Sequence, residues 1–130
     1  TVFLGKEDQQ KLDVMNKTIE ALEEGKSAIK AGVTADSVAQ TFWKILDKYN
    51  IKKDSRTGYS IGAGFPPDWG ERTVNISKGD PTILQTNCTL HMIAVMQMGD
   101  WGVEVSEAMR VTDNGFEAFC NFPKELVFKN

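Results

Sequence analysis

The sequence is poor in the side chains that build metal clusters and disulfide frameworks. Its 130 residues hold one histidine, His91, and two cysteines, Cys88 and Cys120. One histidine excludes a histidine-rich metal centre, and two cysteines exclude a disulfide scaffold, so two reduced thiols are expected. Long hydrophobic runs are also missing. The longest apolar stretch, residues 90–98, is interrupted by His91 and Gln97 and is too short to cross a bilayer. Nor is there a basic stripe: 15 Lys and Arg against 18 Asp and Glu leave a net charge of −3, too mild to steer a polyanion. Neither nucleic acid nor membrane is therefore an expected partner. No segment of the signal-peptide type precedes the first helical pattern, and a cytoplasmic location is expected. Asn16, Asn75 and Asn87 each open an N-x-S/T triplet, a pattern that carries no weight without secretion.

What the sequence does have falls into two textures. Over residues 6–30 apolar positions recur at Leu12, Met15, Ile19, Leu22 and Ile29, mostly three or four apart, with Lys26 interrupting and Glu20, Glu23 and Glu24 on other faces. This predicts a helix with one buried stripe, stopped at Gly32. Thr34 then caps a second helix with Asp36 in its first turn, and its stripe runs through Val38, Phe42, Ile45, Leu46 and Tyr49. Glycines at 58, 62, 64 and 70 with Pro66-Pro67 read as turns. Strand-like runs follow at 83–85, 89–98 and 103–112. Asp113-Asn114-Gly115 turns the chain into a short return strand over 116–120. Helices first and strands after predict an α+β fold, a helical pair covering one face of a mainly antiparallel sheet. Residues 1–130 read as one domain without repeats or linkers.

Three segments carry a family likeness. The first is Gly58-Tyr59-Ser60-Ile61-Gly62 with Phe65-Pro66-Pro67-Asp68-Trp69-Gly70-Glu71. The second is Asn87-Cys88-Thr89-Leu90-His91-Met92-Ile93. The third is Gly102-Val103-Glu104-Val105-Ser106-Glu107 with Val111 to Gly115 and Phe122 to Leu126. Together with Ile29-Lys30-Ala31-Gly32-Val33-Thr34 at the helix junction, they resemble the creatinase, prolidase and methionine-aminopeptidase family. Within it the likeness is nearest to the creatinase-like or ectoine-hydrolase-like subgroup. The resemblance implies the C-terminal half of a pita-bread fold, a partial domain over residues 1–130.

Metal-dependent members of that family hold two divalent ions with two aspartates, one histidine and two glutamates, hard ligands that activate a bound water. By the resemblance, the aspartates belong to the half of the fold that precedes this chain's first helix. The histidine position is Tyr59, and the two glutamate positions are Ile93 and Ser106. No metal site and no cofactor are therefore expected, although a bulge in the third segment would bring Glu107 inward in place of Ser106.

Strand periodicity puts His91 on one face with Thr89, Ile93 and Val95, the face that the resemblance turns toward the active cleft. His91 is a candidate acid or base, with a satisfied, half-buried histidine as the plainer alternative. Glu104 shares a strand face with Ser106 and is the second catalytic candidate, suited to holding a cationic group or pairing with His91. Glu107 lies on the opposite face, solvent-facing or paired, and becomes a substrate contact if the strand bulges. Tyr59 and Ser60 sit among glycines that allow backbone to approach a ligand. Asp68, Trp69 and Glu71 are candidates for a substrate-binding rim, while Trp69 serves equally as a hydrophobic plug or a subunit contact. Cys88 has no catalytic partner at readable spacing, and Met92, Met96 and Met98 read as packing.

The resemblance implies, for a full-length relative, hydrolysis of an amide or amidine C–N bond in a small zwitterionic solute. An Xaa-Pro dipeptidase or aminopeptidase is the alternative enzyme. An inactive half-domain that self-associates is the alternative without catalysis. The expected partners are a small-molecule substrate and either a second copy, giving a homodimer, or the missing N-terminal half.

Overall fold

A computed structural model describes residues 2–6 and 8–129. The chain runs β1 (Val2–Leu4), α1 (Gln9–Ser27), α2 (Ala35–Lys48), β2 (Gly58–Phe65), β3 (Asp68–Ile76), β4 (Thr89–Gln97), β5 (Gly102–Val111), β6 (Phe116–Ala118) and β7 (Val127–Lys129). Five strands form one sheet in the order β3-β2-β4-β5-β6, with every neighbour antiparallel. β1 and β7 pair in parallel as a separate ribbon.

Local chemistry sets the helix ends. The Asp8 carboxylate accepts from the Lys11 backbone N–H at 3.2 Å, and the Thr34 hydroxyl accepts from Ser37 at 3.1 Å, each satisfying an amide that the helix leaves open. Gly32 lies between the helices at φ +86°, a left-handed conformation that favours glycine. α1 buries more than one stripe. Val14, Thr18, Ala21 and Gly25 are covered along with Leu12, Met15 and Leu22, because α1 packs against both α2 and the sheet. A Cβ on Gly25 would stand 3.1 Å from the Phe42 Cβ and 3.2 Å from the Met92 Cε, so the helices and sheet come this close only where the side chain is missing.

The sheet separates two chemistries. Leu90, Met92, Ala94 and Met96 of β4 are fully buried in the core that also holds Leu22, Phe42 and Leu46. Each such large side chain contributes roughly 1.5–3 kcal/mol by leaving water, so a one-residue slip of β4 would lose several at once. Thr89, His91, Ile93 and Val95 are thereby fixed on the opposite face. On β5 the same alternation buries Val103, Val105, Met109 and Val111.

The α+β expectation holds: two helices cover a five-stranded, antiparallel sheet. Several details differ. Residues 58–70 are not turns but most of a hairpin, β2 and β3, with Pro66-Pro67 confined to its tip. Gly58 and Gly64 approach neighbouring strands too closely for a side chain, which is why glycine-rich sequence here is still strand. Residues 83–85 make only an isolated bridge, Thr34 to Ile83. The return strand ends at Ala118. The β1–β7 ribbon, three residues a side, is too short to leave a periodic signal.

Candidate functional site

The face of the sheet turned away from the helices carries the candidate chemistry. In the β4–β5 register His91 opposes Ala108, Ile93 opposes Ser106 and Val95 opposes Glu104, while β2 sets Tyr59 directly opposite His91. The β4–β5 register is continuous from Thr89 to Gln97, so no bulge turns Glu107 toward this face.

Tyr59 and His91 are brought into contact. The Tyr59 Oη lies 3.0 Å from His91 Nδ1, and their rings meet edge-on with centroids 5.3 Å apart at 84°. The Trp69 indole N–H donates to the same Oη at 3.2 Å. The Arg56 guanidinium lies 4.6 Å from the centre of the Tyr59 ring and donates through Nη1 to Asn75 Oδ1 at 2.6 Å. Burial pushes the His91 pKa below that of a free imidazole, and the negative charge of Glu104 partly offsets this. Glu104 thus acts on His91 electrostatically from four register pairs along the sheet, on the same face.

The remaining predicted residues are placed elsewhere. Ser60 is buried in the β2–β3 hairpin, where the register jumps from Tyr59–Asn75 to Ile61–Gly70 and Arg72 takes a φ of 57°. Its Oγ accepts from the amides of Thr73 and Val74, each at 3.2 Å, and so satisfies the backbone of that irregularity. The Glu71 carboxylate accepts from the Gly64 amide at 2.5 Å and ties the hairpin tip together. Asp68 pairs with Arg72 and accepts from the Gly70 amide at 3.1 Å, and the Arg72 hydrogen bond holds its carboxyl below the ordinary range. Of the expected rim only Trp69 reaches the His91 cluster.

Glu107 is on the helix side, 7% exposed. It binds Lys26 Nζ at 2.5 Å and Lys124 Nζ at 2.5 Å, and Lys26 also meets Glu23 at 2.7 Å. Lys26, which interrupts the helical stripe in sequence, is itself buried and aims its ammonium at Glu107. Burial raises the Glu107 carboxyl, but the hydrogen bonds from Lys124 and Lys26 outweigh it and leave the pKa below the ordinary range. Arg56 and Lys124 left no sequence signal, since Asn75 and Glu107, which they bind, are distant in the chain, and Lys26 showed only as the break in the helical stripe. Cys88 and Cys120 are unpaired, and burial pushes the Cys88 thiol up, away from reactivity.

Glu104 borders two grooves, of about 560 Å³ against residues 120–127 and about 670 Å³ at the β4–β5 turn. Neither is lined by His91. Among the described residues, no group of three His, Cys, Asp or Glu converges as metal ligands would. The donor set at the site fits a divalent ion poorly: a phenol, one imidazole already tied to that phenol, and the hydrocarbon of Ile93.

The sequence matches metallopeptidase family M24 over residues 1–113. The chain belongs to that family. It is 34% identical over 130 residues to the ectoine hydrolase of Halomonas elongata, covering 99% of this chain and 33% of that protein. It is 33% identical over 130 residues to an uncharacterized hydrolase/peptidase of Sinorhizobium fredii, again covering 33% of that protein. The chain thus spans about a third of the curated relatives it matches. Its fold matches dipeptidase PepE of Mycobacterium ulcerans with a TM-score of 0.86 at 23% identity, covering 96% of this chain and 33% of that one. It matches the X-Pro aminopeptidase of Thermotoga maritima with a TM-score of 0.87 at 19% identity, covering 98% and 36%. The architecture is that of the C-terminal half of the M24 pita-bread fold. No helix among the described residues is long and apolar enough to cross a membrane.

Proposed function

We propose that this chain supplies the proton-handling wall of a metal-independent hydrolase that opens an amide or amidine C–N bond in a small zwitterionic solute. The observation that carries the reading is the 3.0 Å approach of Tyr59 Oη to His91 Nδ1, on the sheet face that also carries Ile93 and Ser106, the two positions that the family resemblance assigns to metal-binding glutamates. His91 acts at the scissile bond as a hydrogen-bond donor through its imidazole N–H. Tyr59 orients it, and the Glu104 carboxylate attracts the cationic end of the solute while favouring the protonated imidazole. The similarity to ectoine hydrolase makes a cyclic amidine the first substrate to try.

The test is a chelator-treated assay of the chain, alone and joined to the N-terminal part of the Halomonas relative. Ectoine and Xaa-Pro dipeptides are followed by proton NMR. Ring opening of the amidine that survives chelation and disappears in His91→Asn supports the reading. Cleavage restricted to the dipeptides, and dependent on added divalent ion, contradicts it and favours an Xaa-Pro dipeptidase.

A second reading rests on exposed apolar side chains. Phe119, Phe122, Val127 and Phe128 are uncovered beside the outer edge of β5, which β6 pairs only over Met109 to Val111. Such a surface suits a half-domain completed by a second copy of itself or by an N-terminal half. In that case the chain functions through association, and His91 is a structural residue.

A further inference from the structure

The hydrogen bonds around Tyr59 assign a proton position. An indole nitrogen only donates, so the Tyr59 oxygen must accept from Trp69 at 3.2 Å. The phenol has one proton of its own, and the other hydrogen-bond partner described for Oη is His91 Nδ1, at 3.0 Å. If Nδ1 carried a proton, both neighbours would donate to Oη and the hydroxyl proton would lack an acceptor, in a residue only 9% exposed. With Nδ1 bare, all three groups are satisfied at once: Trp69 donates to Tyr59, and Tyr59 donates to His91.

We propose that Trp69 is a positioning residue: its indole N–H orients the Tyr59 hydroxyl so that His91 is held as the neutral tautomer with its proton on Nε2. This rests on the proposed role of His91 and deepens it, because it fixes how the imidazole meets a substrate. The ring offers an N–H, a hydrogen-bond donor for the carbonyl oxygen or amidine nitrogen at the reacting carbon. Its lone pair is occupied by Tyr59. The Arg56 cation over the phenol ring makes the hydroxyl a stronger donor and tightens the arrangement. Trp69 is thereby assigned an action through Tyr59 rather than a stacking contact with substrate. The residue is 53% exposed, so the donor can be removed without opening a core cavity.

His91 is the chain's only histidine, and a two-bond proton–nitrogen correlation spectrum of the 15N-labelled chain reads its tautomer without assignment ambiguity. At a pH where the ring is neutral, the native chain should give a single tautomer with Nε2 protonated. Trp69→Phe keeps an aromatic ring but deletes the donor, and should shift the two nitrogens toward a mixture of tautomers. Tyr59→Phe should do the same more completely. A backbone amide spectrum matching the native one confirms that each variant is folded. A native chain with Nδ1 protonated overturns the proposal, whatever the variants do. So does a folded Trp69→Phe variant whose His91 remains a single Nε2–H tautomer. The measurement contains no substrate, so a chain that has the assigned tautomer and hydrolyses nothing sinks the proposed function while this assignment stands.

Discussion

Ile93 and Ser106 are direct register partners on β4 and β5, on the sheet face that carries His91. The family resemblance places both at glutamate positions, and the continuous register puts those positions side by side, as two carboxylates sharing an ion would have to be. On that resemblance, a hydrocarbon and a hydroxyl stand where the carboxylates of a metal centre would be. Introducing Tyr59→His, Ile93→Glu and Ser106→Glu together should create a site where divalent cation raises the melting temperature, since binding to the folded state alone stabilises it. Without metal the same variant should melt below the native chain, because two carboxylates would face each other unscreened. Differential scanning calorimetry with and without Mn²⁺ checks both. An equal gain in the native chain would show that ligands other than these positions bind the ion.

The His91–Glu104 relation predicts a titration. Burial lowers the His91 pKa and the Glu104 charge partly restores it, so Glu104→Gln should lower it further. In the native chain the imidazole should therefore protonate below about pH 6.5, the ordinary value, and at still lower pH in Glu104→Gln. Because the folded pKa is depressed, His91 contributes stability that is present above its unfolded pKa and is lost as pH falls through the folded value. Following the His91 ring protons against pH gives both numbers. An upward move in Glu104→Gln would contradict the assigned electrostatics.

Glu107 joins three parts of the chain, α1 through Lys26, β5 through its own backbone, and the C-terminal segment through Lys124. Glu107→Ala leaves the buried Lys26 ammonium with only Glu23, and should destabilise the chain by about 3–5 kcal/mol, as expected when one member of a buried pair is removed. Urea unfolding measures it. The depressed Glu107 pKa adds a sign: its contribution is present above the unfolded carboxylate pKa and is lost as pH falls through the folded one. Native and mutant stabilities should therefore converge in acid.

The uncovered Phe119, Phe122 and Phe128 predict concentration-dependent association. Sedimentation velocity across the micromolar range should show species larger than a monomer, and Phe122→Ser should weaken them. A monomer at every concentration would leave the second functional reading without support.

Much of this architecture was legible because periodic burial writes itself into sequence. The stripe from Leu12 to Leu22, the cap at Thr34 and the alternation from Leu90 to Met96 placed both helices and the face of His91. The β2–β3 hairpin was not legible, because its glycines serve close strand approach while Pro66-Pro67 mimics a loop. Sequence spacing also gave no view of Ser60 inside the hairpin irregularity or of Lys26 reaching Glu107. Both roles depend on partners from other strands. The sequence marks Trp69 as a rim residue, but its link to His91 through Tyr59 exists only once β2, β3 and β4 lie side by side.

The central claim is chemistry at His91 without a metal, and chelation tests it most directly. The chain completed by an N-terminal half is dialysed exhaustively against chelator, its metal content is measured, and the hydrolysis rate is compared before and after. The account predicts an unchanged rate in a protein free of metal, and a loss of activity by orders of magnitude in His91→Asn. Activity that vanishes on chelation and returns with a divalent ion would contradict it.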